Sequence, residues 1–339
     1  MKLLYESTAK DESGLLLLRS KIKATSRRIK FPETLREKIE LVCNEIVTNQ
    51  QKHANGSGMV QLWEAGENPS SLDLFALDYG PGIPDIEQAK KDGNSTAGTM
   101  GKGLGAIERL SSNSAIYTVT EGSAAEHSWH GTAIWARFSP GKKKQHSPIE
   151  TGVYLRPFQD CFYNGDYISL KNGSSRIKWL HMDGLGHGKQ AAEAVGLTND
   201  IMERDIDLKE RLETLSRQMA SGRGAVGLIA EIDASSGNAA ISGIGDMNAY
   251  LICNGERKHF PLAAGILGHQ HRSIDVLDFR FPDQALFITA SDGIRSRWNL
   301  STLPQLWRLH PQIIALVMGH VLGRNNDDRS LVVIRKTPK

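Results

Sequence analysis

Leu77-Asp78-Tyr79-Gly80-Pro81-Gly82-Ile83-Pro84-Asp85 sets an acid at the end of an apolar run and follows it with glycines in a tight turn. Glycine permits positive φ and close approach of backbone to a bound group. A carboxylate at that point can accept a hydrogen bond from an adenine amino group. Upstream, the spacing predicts a helix from about Pro32 to Ala54. Its Leu35, Ile39, Val42 and Ile46 fall four, three and four residues apart, one apolar stripe of an amphipathic helix. Glu45, Asn49 and His53 are also four apart and share a second face. The amide oxygen of Asn49 suits Mg2+, a hard ion, and Glu45 can orient or deprotonate a nucleophile. Taken alone, that face also reads as solvated surface. Downstream, Gly98-Thr99-Met100-Gly101-Lys102-Gly103-Leu104-Gly105 leads into a helical pattern from Ala106 to Leu110. A glycine-rich loop entering a helix offers backbone N–H groups and a favourable dipole to phosphates.

The order of these elements, closed by Gly131-Thr132, resembles the GHKL ATPase fold of histidine kinases, gyrase-type ATPases and anti-sigma-factor kinases. Within it, Asp78–Ser112 is similar to the RsbT-type switch kinases of bacterial stress signalling. The resemblance covers roughly residues 1–139. It implies an α/β sandwich that binds ATP with Mg2+. Asn49 would hold the Mg2+, Asp78 would bind adenine, and Gly80 and Gly82 would shape the pocket. Gly101, Lys102, Gly103, Leu104 and Gly105 would wrap the phosphates, Thr132 would support the adenine site, and Glu45 would be the catalytic base for a substrate hydroxyl. Tyr79 departs from the RsbT pattern, which has an acidic residue there.

The second half carries four separated acidic motifs: Asn164-Gly165-Asp166-Tyr167, Met182-Asp183-Gly184-Leu185-Gly186-His187-Gly188, Ser291-Asp292-Gly293-Ile294 and Asn326-Asp327-Asp328-Arg329-Ser330. Each acid lies at or beside the end of an apolar run, often next to glycine. Strand ends bring distant residues together at one sheet edge, and clustered carboxylates need cations. Hard divalent ions with oxygen ligands are the simple remedy. Singly, each Asp-Gly reads as a turn. In this order they resemble the PPM (PP2C-type) phosphatases of the SpoIIE branch, which includes RsbX-like enzymes, over roughly residues 152–336. That resemblance implies an α-β-β-α sandwich with two Mn2+ or Mg2+ ions. Asp183 would bridge both ions and be central to catalysis, the Gly184 carbonyl would join it, and Asp166, Asp292 and Asp327 would complete the shell, with Asp328 in reserve. His187 reads as a turn or packing residue that could also protonate a leaving oxygen. Arg176, Arg295 and Arg297 are candidates to grip phosphate, with surface arginine as the alternative for each.

The expected fold class is α+β, with a domain at 1–139, a linker at 140–149 and a second domain at 150–339. The linker reading rests on the polar stretch Ser139–Pro148, with its three lysines between prolines. Strands are predicted near Gly58–Trp63, Ser71–Leu77, Ala115–Val119 and Thr132–Phe138. Further ones are predicted at Arg176–Met182, Val226–Asp233, Ala239–Ile244, Ala249–Cys253, Ala285–Thr289 and Leu331–Ile334. Helical stretches are predicted at Lys189–Gln218 and Leu303–Leu322. A net charge of +3 over 339 residues gives no support for nucleic-acid binding. The longest early apolar run, Leu15–Leu18, is too short for a signal peptide or a membrane span. Cys43, Cys161 and Cys253 form no CxxC pair, so a cytoplasmic protein without disulfides is expected.

Together the two resemblances imply a bifunctional regulator of protein phosphorylation. Its expected partner is a STAS-domain phosphoprotein of the anti-sigma antagonist or stressosome type. The alternative is a nucleotide-sensing phosphatase whose first domain binds ATP and partner without phosphotransfer. The helix pattern at Asp205–Met219 leaves a homodimer as an option.

Overall fold

The computed structural model describes residues 1–8, 12–66, 70–91, 103–123, 129–141, 148–196 and 200–337. The chain divides into two compact units. The first comprises Met1–Lys144 with Ser301–Ile313, and the second Gln145–Leu300 with Ile314–Lys339.

The first unit is one antiparallel sheet under helices. Strands β1 (Lys2–Thr8), β2 (Gly58–Ala65), β3 (Ser71–Asp78), β4 (Asn113–Val119) and β5 (Gly131–Phe138) run in the order β1-β2-β3-β5-β4. Helices α1 (Glu12–Arg28), α2 (Glu33–His53), a single turn α3 (Ile86–Ala89) and α4 (Gly103–Leu110) complete it. The α2 stripe is buried as its spacing requires: Ile39, Val42 and Ile46 pack with Leu62, Leu72, Leu74, Ile107 and Ile134. Pro32 stands at the α2 N-cap, where its missing N–H costs nothing. Helix α1 has no counterpart in the sequence reading. Its run of four leucines, Leu15–Leu18, hides the helical period; Leu18 is buried while Leu16 and Leu17 are exposed.

The second unit is a sandwich of two antiparallel sheets. One has the order β13-β10-β9-β8-β7, the other β12-β11-β14-β15-β6. In chain order the elements are β6 (Ile149–Arg156), β7 (Asp166–Asn172), β8 (Arg176–Gly184), α5 (Lys189–Gly196), α6 (Leu208–Met219), β9 (Ala225–Asp233), β10 (Asn238–Ile244), β11 (Asn248–Cys253), β12 (Glu256–His259), β13 (Leu277–Arg280), β14 (Leu286–Ala290), α7 (Pro311–Val321) and β15 (Arg329–Lys336). Strand β8 alternates between two cores, as a pleated strand with both faces covered must. Ile177 and Trp179 meet Phe287, Val332 and Ile334 between the sheets, while Leu180 and Met182 meet Leu212, Leu215 and Met219 under the helices. On the other sheet, Gly319 of α7 lies against the Tyr154 ring of β6, leaving no room for a side chain. The predicted helix Lys189–Gln218 is two helices. Asp207 caps the second, accepting from the Glu210 amide at 2.8 Å. The stretch predicted helical from Leu303 begins its helix only at Pro311, and Gln305 before it has φ 64°.

Candidate functional site

Two constellations stand out, one in each unit. In the first, Asp78 ends β3 and its Oδ1 accepts from the amides of Gly80 (2.9 Å) and Thr132 (3.0 Å). Burial raises the Asp78 carboxyl above its ordinary range, and those two amides, with His53 and His130, pull it back down. The Trp129 indole donates to the Asp78 carbonyl at 3.0 Å, and His130 Nδ1 shares a 2.8 Å hydrogen bond with the Gly80 carbonyl. Thr118 accepts from the Ile83 amide at 2.8 Å and donates to the Gly131 carbonyl at 3.0 Å. Two glycines are obligatory in this knot. A β-carbon on Gly131 (φ 133°) would overlap the Asp78 carbonyl, and one on Gly82 (φ 77°) would overlap that of Val119.

Asp78, Gly80, Gly82 and Thr132 thus share one place, and His53, on the second face of α2, acts on the Asp78 charge. Glu45 and Asn49 are half-buried on that helix, and no side-chain hydrogen bond engages either among the described residues. Gly103, with φ 33°, opens α4 and has no described residue within 4 Å of where its β-carbon would lie, whereas Leu104 and Gly105 are buried. Leu104 packs in the core with Ile107. Gly101 and Lys102 lie outside the described residues. The cradle of glycines around a pre-bonded carboxylate fits a nucleobase, and the half-buried amide of Asn49 offers the oxygen a Mg2+ ion takes.

In the second unit the acids gather at one end of the sandwich. Asp166, first residue of β7, is paired directly across from Asp183 on β8. Like charges so placed repel. Asp183 continues the face of β8 that carries Trp179 and His181, so it belongs to the interior between the sheets. Burial raises its carboxyl to about 10, reinforced by Asp166, Asp292, Asp327 and Asp246. Asp166 is raised to about 7, first by burial and further by Asp328 and Asp327, against hydrogen bonds from Ser330 and Ser291. Ser291 Oγ donates to its Oδ2 at 2.8 Å, while its Oδ1 is buried without a partner. Asp292 is raised by burial, Asp327 and Asp246; Arg324 and a hydrogen bond with Asp183 oppose this.

The last motif separates its two acids by role. Asp328 is buried and committed to backbone: Oδ1 accepts from Phe158 N at 2.7 Å and Oδ2 from Gly165 N at 3.0 Å. Asp327 accepts only the amide of Asp328 at 2.9 Å among the described residues, which leaves its other oxygen for a ligand. Glycine is required beside two of the acids. A β-carbon on Gly184 would press 2.6 Å from the Ala191 carbonyl, and one on Gly293 would overlap that of Asp328. His187 packs against Phe158 with ring centroids 4.9 Å apart and the planes tilted by 52°.

Behind Asp166 a buried relay joins the sheets. His181 shares hydrogen bonds with Thr289 Oγ1 (2.9 Å) and Ser330 Oγ (2.7 Å), and Ser330 reaches Asp166. Burial lowers the His181 imidazole to about 3, so it is neutral at physiological pH.

Sequence reasoning overlooked Asp246. It sits after Gly245 (φ 101°) at the end of β10, an Asp-after-Gly at a strand end like Asp166. Arg176, by contrast, stands at the far end of β8, seven residues from Asp183, and is ion-paired with Asp233 at 3.1 Å. At about 3.3 Å per strand residue that is some 23 Å away, too far to grip a phosphate at the acids. Among the described residues no three His, Cys, Asp or Glu side chains close on one point as a finished metal cage. The acids are joined through their fields instead. All donors are oxygens, one is buried and unbonded, and burial, reinforced by neighbouring carboxylates, raises Asp166, Asp183 and Asp292. That set fits a hard divalent cation.

Comparison with known proteins finds relatives of two kinds. The model of the histidine kinase-like ATPase domain matches residues 8–129. The serine/threonine-protein kinase RsbT of Bacillus subtilis (strain 168) is 33% identical over 86 residues, 25% of this chain and 64% of that protein. The chain therefore spans under two thirds of that relative. A structure described as "The bacterial stressosome: a modular system that has been adapted to control secondary messenger signaling" superposes with TM-score 0.51 at 25% identity, over 55% of this chain and 99% of the other. RsbX in complex with magnesium superposes with TM-score 0.51 at 19% identity, over 56% and 96%. Residues 8–129 are thus similar to a histidine kinase-like ATPase domain, and over 56% of the chain the fold is similar to that of RsbX. No helix among the described residues is long and apolar enough to cross a membrane.

Proposed function

We propose that the chain controls a protein phosphorylation state from both sides, as an ATP-dependent serine/threonine kinase and a Mn2+- or Mg2+-dependent phosphoserine/phosphothreonine phosphatase. The observation that carries this reading is the meeting of Asp166, Asp183, Asp292 and Asp327 at one sandwich edge, with a buried Asp166 oxygen left unbonded. Asp183, with Asp166, the Gly184 carbonyl, Asp292 and Asp327, would hold two divalent ions. When bound, such ions polarise water and neutralise phosphoryl charge. The chain's own part is to hold the donors in place. Ser291 and Ser330 orient Asp166, Asp328 pins the Phe158–Gly165 loop, and His181 stiffens the relay behind them.

In the first unit, Asp78 and Thr132 would receive adenine, Gly80 and Gly82 would admit its ring, and Asn49 would hold Mg2+. Gly101, Lys102, Gly103, Leu104 and Gly105 would wrap the phosphates. Glu45 would accept the proton of the attacking hydroxyl. The 33% identity to RsbT supports a serine or threonine acceptor, and the likeness to the stressosome structure supports a STAS-domain partner. A second reading, an ATP-sensing phosphatase, draws on the absence of any group orienting Glu45 among the described residues. Residues 1–139 and 150–339 are proposed as the functional domains, in a cytoplasmic protein.

The test is a radiolabel assay on a STAS-domain protein from the same genome, with ATP and Mn2+. Wild type should label and unlabel it, Asn49→Ala should lose labelling, and Asp183→Asn should lose unlabelling. Loss of transfer with retained ATP binding in Glu45→Gln supports the kinase. Indifference to that change supports the sensor. A wild type that neither adds nor removes phosphate sinks the substrate assignment.

A further inference from the structure

Two exposed arginines flank the acidic edge, and they are placed differently. The amide of Arg324 donates to the Gly293 carbonyl at 2.8 Å, and its charge acts on Asp292. That charge is already spent on a carboxylate. Arg223 comes from the loop between α6 and β9. Its guanidinium stands over the backbone of Gly186: a β-carbon there would lie 3.3 Å from Nη2 and 3.4 Å from Cζ. Gly186, at φ 80°, offers a flat, side-chain-free seat for the planar group.

This seat adjoins the acids. The Gly186 carbonyl lies 3.2 Å from where a β-carbon of Gly165 would be, one residue before Asp166. The Leu185 amide donates to the Gly224 carbonyl at 3.2 Å, tying the arginine loop to the strand end that bears Asp183. Nη1 of Arg223 donates to Gln190 Oε1 at 3.0 Å, which fixes the fork's orientation. Its remaining N–H groups meet no acceptor among the described residues, and no carboxylate there pairs with it.

A phosphomonoester approaching several carboxylates is repelled unless a fixed cation receives its outer oxygens. A guanidinium supplies two parallel donors matched to that geometry. We propose, building on the phosphatase reading above, that Arg223 is the phosphate-recognition residue of the acidic centre. Seated on Gly186 and oriented by Gln190, it takes the non-bridging oxygens of a phosphoserine or phosphothreonine ester.

The experiment titrates inorganic phosphate into the full chain with Mg2+ present, followed by calorimetry and 31P line broadening. Arg223→Ala should weaken phosphate binding tenfold or more, Arg223→Lys and Gln190→Ala by less. Mg2+ binding without phosphate and the melting temperature should stay unchanged. With p-nitrophenyl phosphate, Arg223→Ala should raise KM more than it lowers kcat. Equal phosphate affinity in Arg223→Ala and wild type overturns the proposal, as does a wild type that binds no phosphate. A wild type that binds phosphate through Arg223 yet hydrolyses no ester upholds the subsite and sinks the phosphatase reading.

Discussion

Asp78 and Asp183 both lie at the ends of apolar strands with a glycine within two residues, yet their surroundings are opposite. Asp78 is raised by burial but meets two backbone amides and two histidines that oppose the rise from within its own unit. Asp183 meets four other acids and is driven up to about 10. One pocket is organised before any ligand arrives. The other carries an electrostatic debt that only protons or cations relieve. Removing the acid should therefore have opposite consequences for the two units.

The largest effect is expected in the second unit. Asp183→Asn should lower divalent-dependent phosphatase activity about a thousandfold or more, roughly 4 kcal/mol in the barrier. The same change should raise the melting temperature of the metal-free protein, since the cost of holding a proton on a buried carboxyl is gone. Activity and calorimetric scans in chelator check the pair of outcomes. A lower melting temperature would break the comparison. Mg2+ or Mn2+ at about a hundred times its dissociation constant should stabilise wild type by about 2.7 kcal/mol, and should do little for Asp183→Asn.

Next in size is the mirror experiment. Asp78→Ala strands the Gly80 and Thr132 amides in a part-buried site. It should cost the first unit about 1–3 kcal/mol and remove ATP binding, as read by chemical denaturation and nucleotide titration. Gly131→Ala should be comparably damaging, because its β-carbon meets the Asp78 carbonyl. Gly188→Ala, with φ 81° but open space, should cost only about 1 kcal/mol.

The smallest effect is a pH dependence. Asp183 at about 10 and Asp166 at about 7 lie above the ordinary carboxylate value of 3.8. The folded metal-free chain therefore binds more protons than the unfolded one, and its stability should rise as pH falls from about 10 through 7. His181 acts the other way. Its folded value of about 3 lies below the ordinary 6.5, so the unfolded chain binds the extra proton and this term erodes stability below about 6.5. Two raised carboxylates outweigh one lowered imidazole, so melting curves in chelator should keep rising as pH falls below neutrality, less steeply below about 6.5. Saturating divalent cation should flatten the alkaline side.

How far the sequence could be read depends on whether the signal was local. The α2 stripe and the Asp-Gly strand ends announce themselves because period and turn chemistry act over a few residues. Helix α1 stayed hidden because four adjacent leucines fill every face. Strand β7 was missed because its residues are half-buried, without strong alternation. Arg176 looked as good as any arginine until β8 carried it to the wrong end of the sandwich. Asp246 and Arg223 depend on which loops meet, which only the sheet order decides. The split of Asp327 from Asp328 needed the Phe158 and Gly165 amides, about 170 and 163 residues away in sequence.

The most direct test of the acidic centre is Mn2+ titration of the metal-free full chain by electron paramagnetic resonance, with proton release followed in weak buffer. Saturable binding accompanied by released protons, and abolished in Asp183→Asn, is the predicted result. Mn2+ that stays free in solution, or binds equally to Asp183→Asn without proton release, would contradict it.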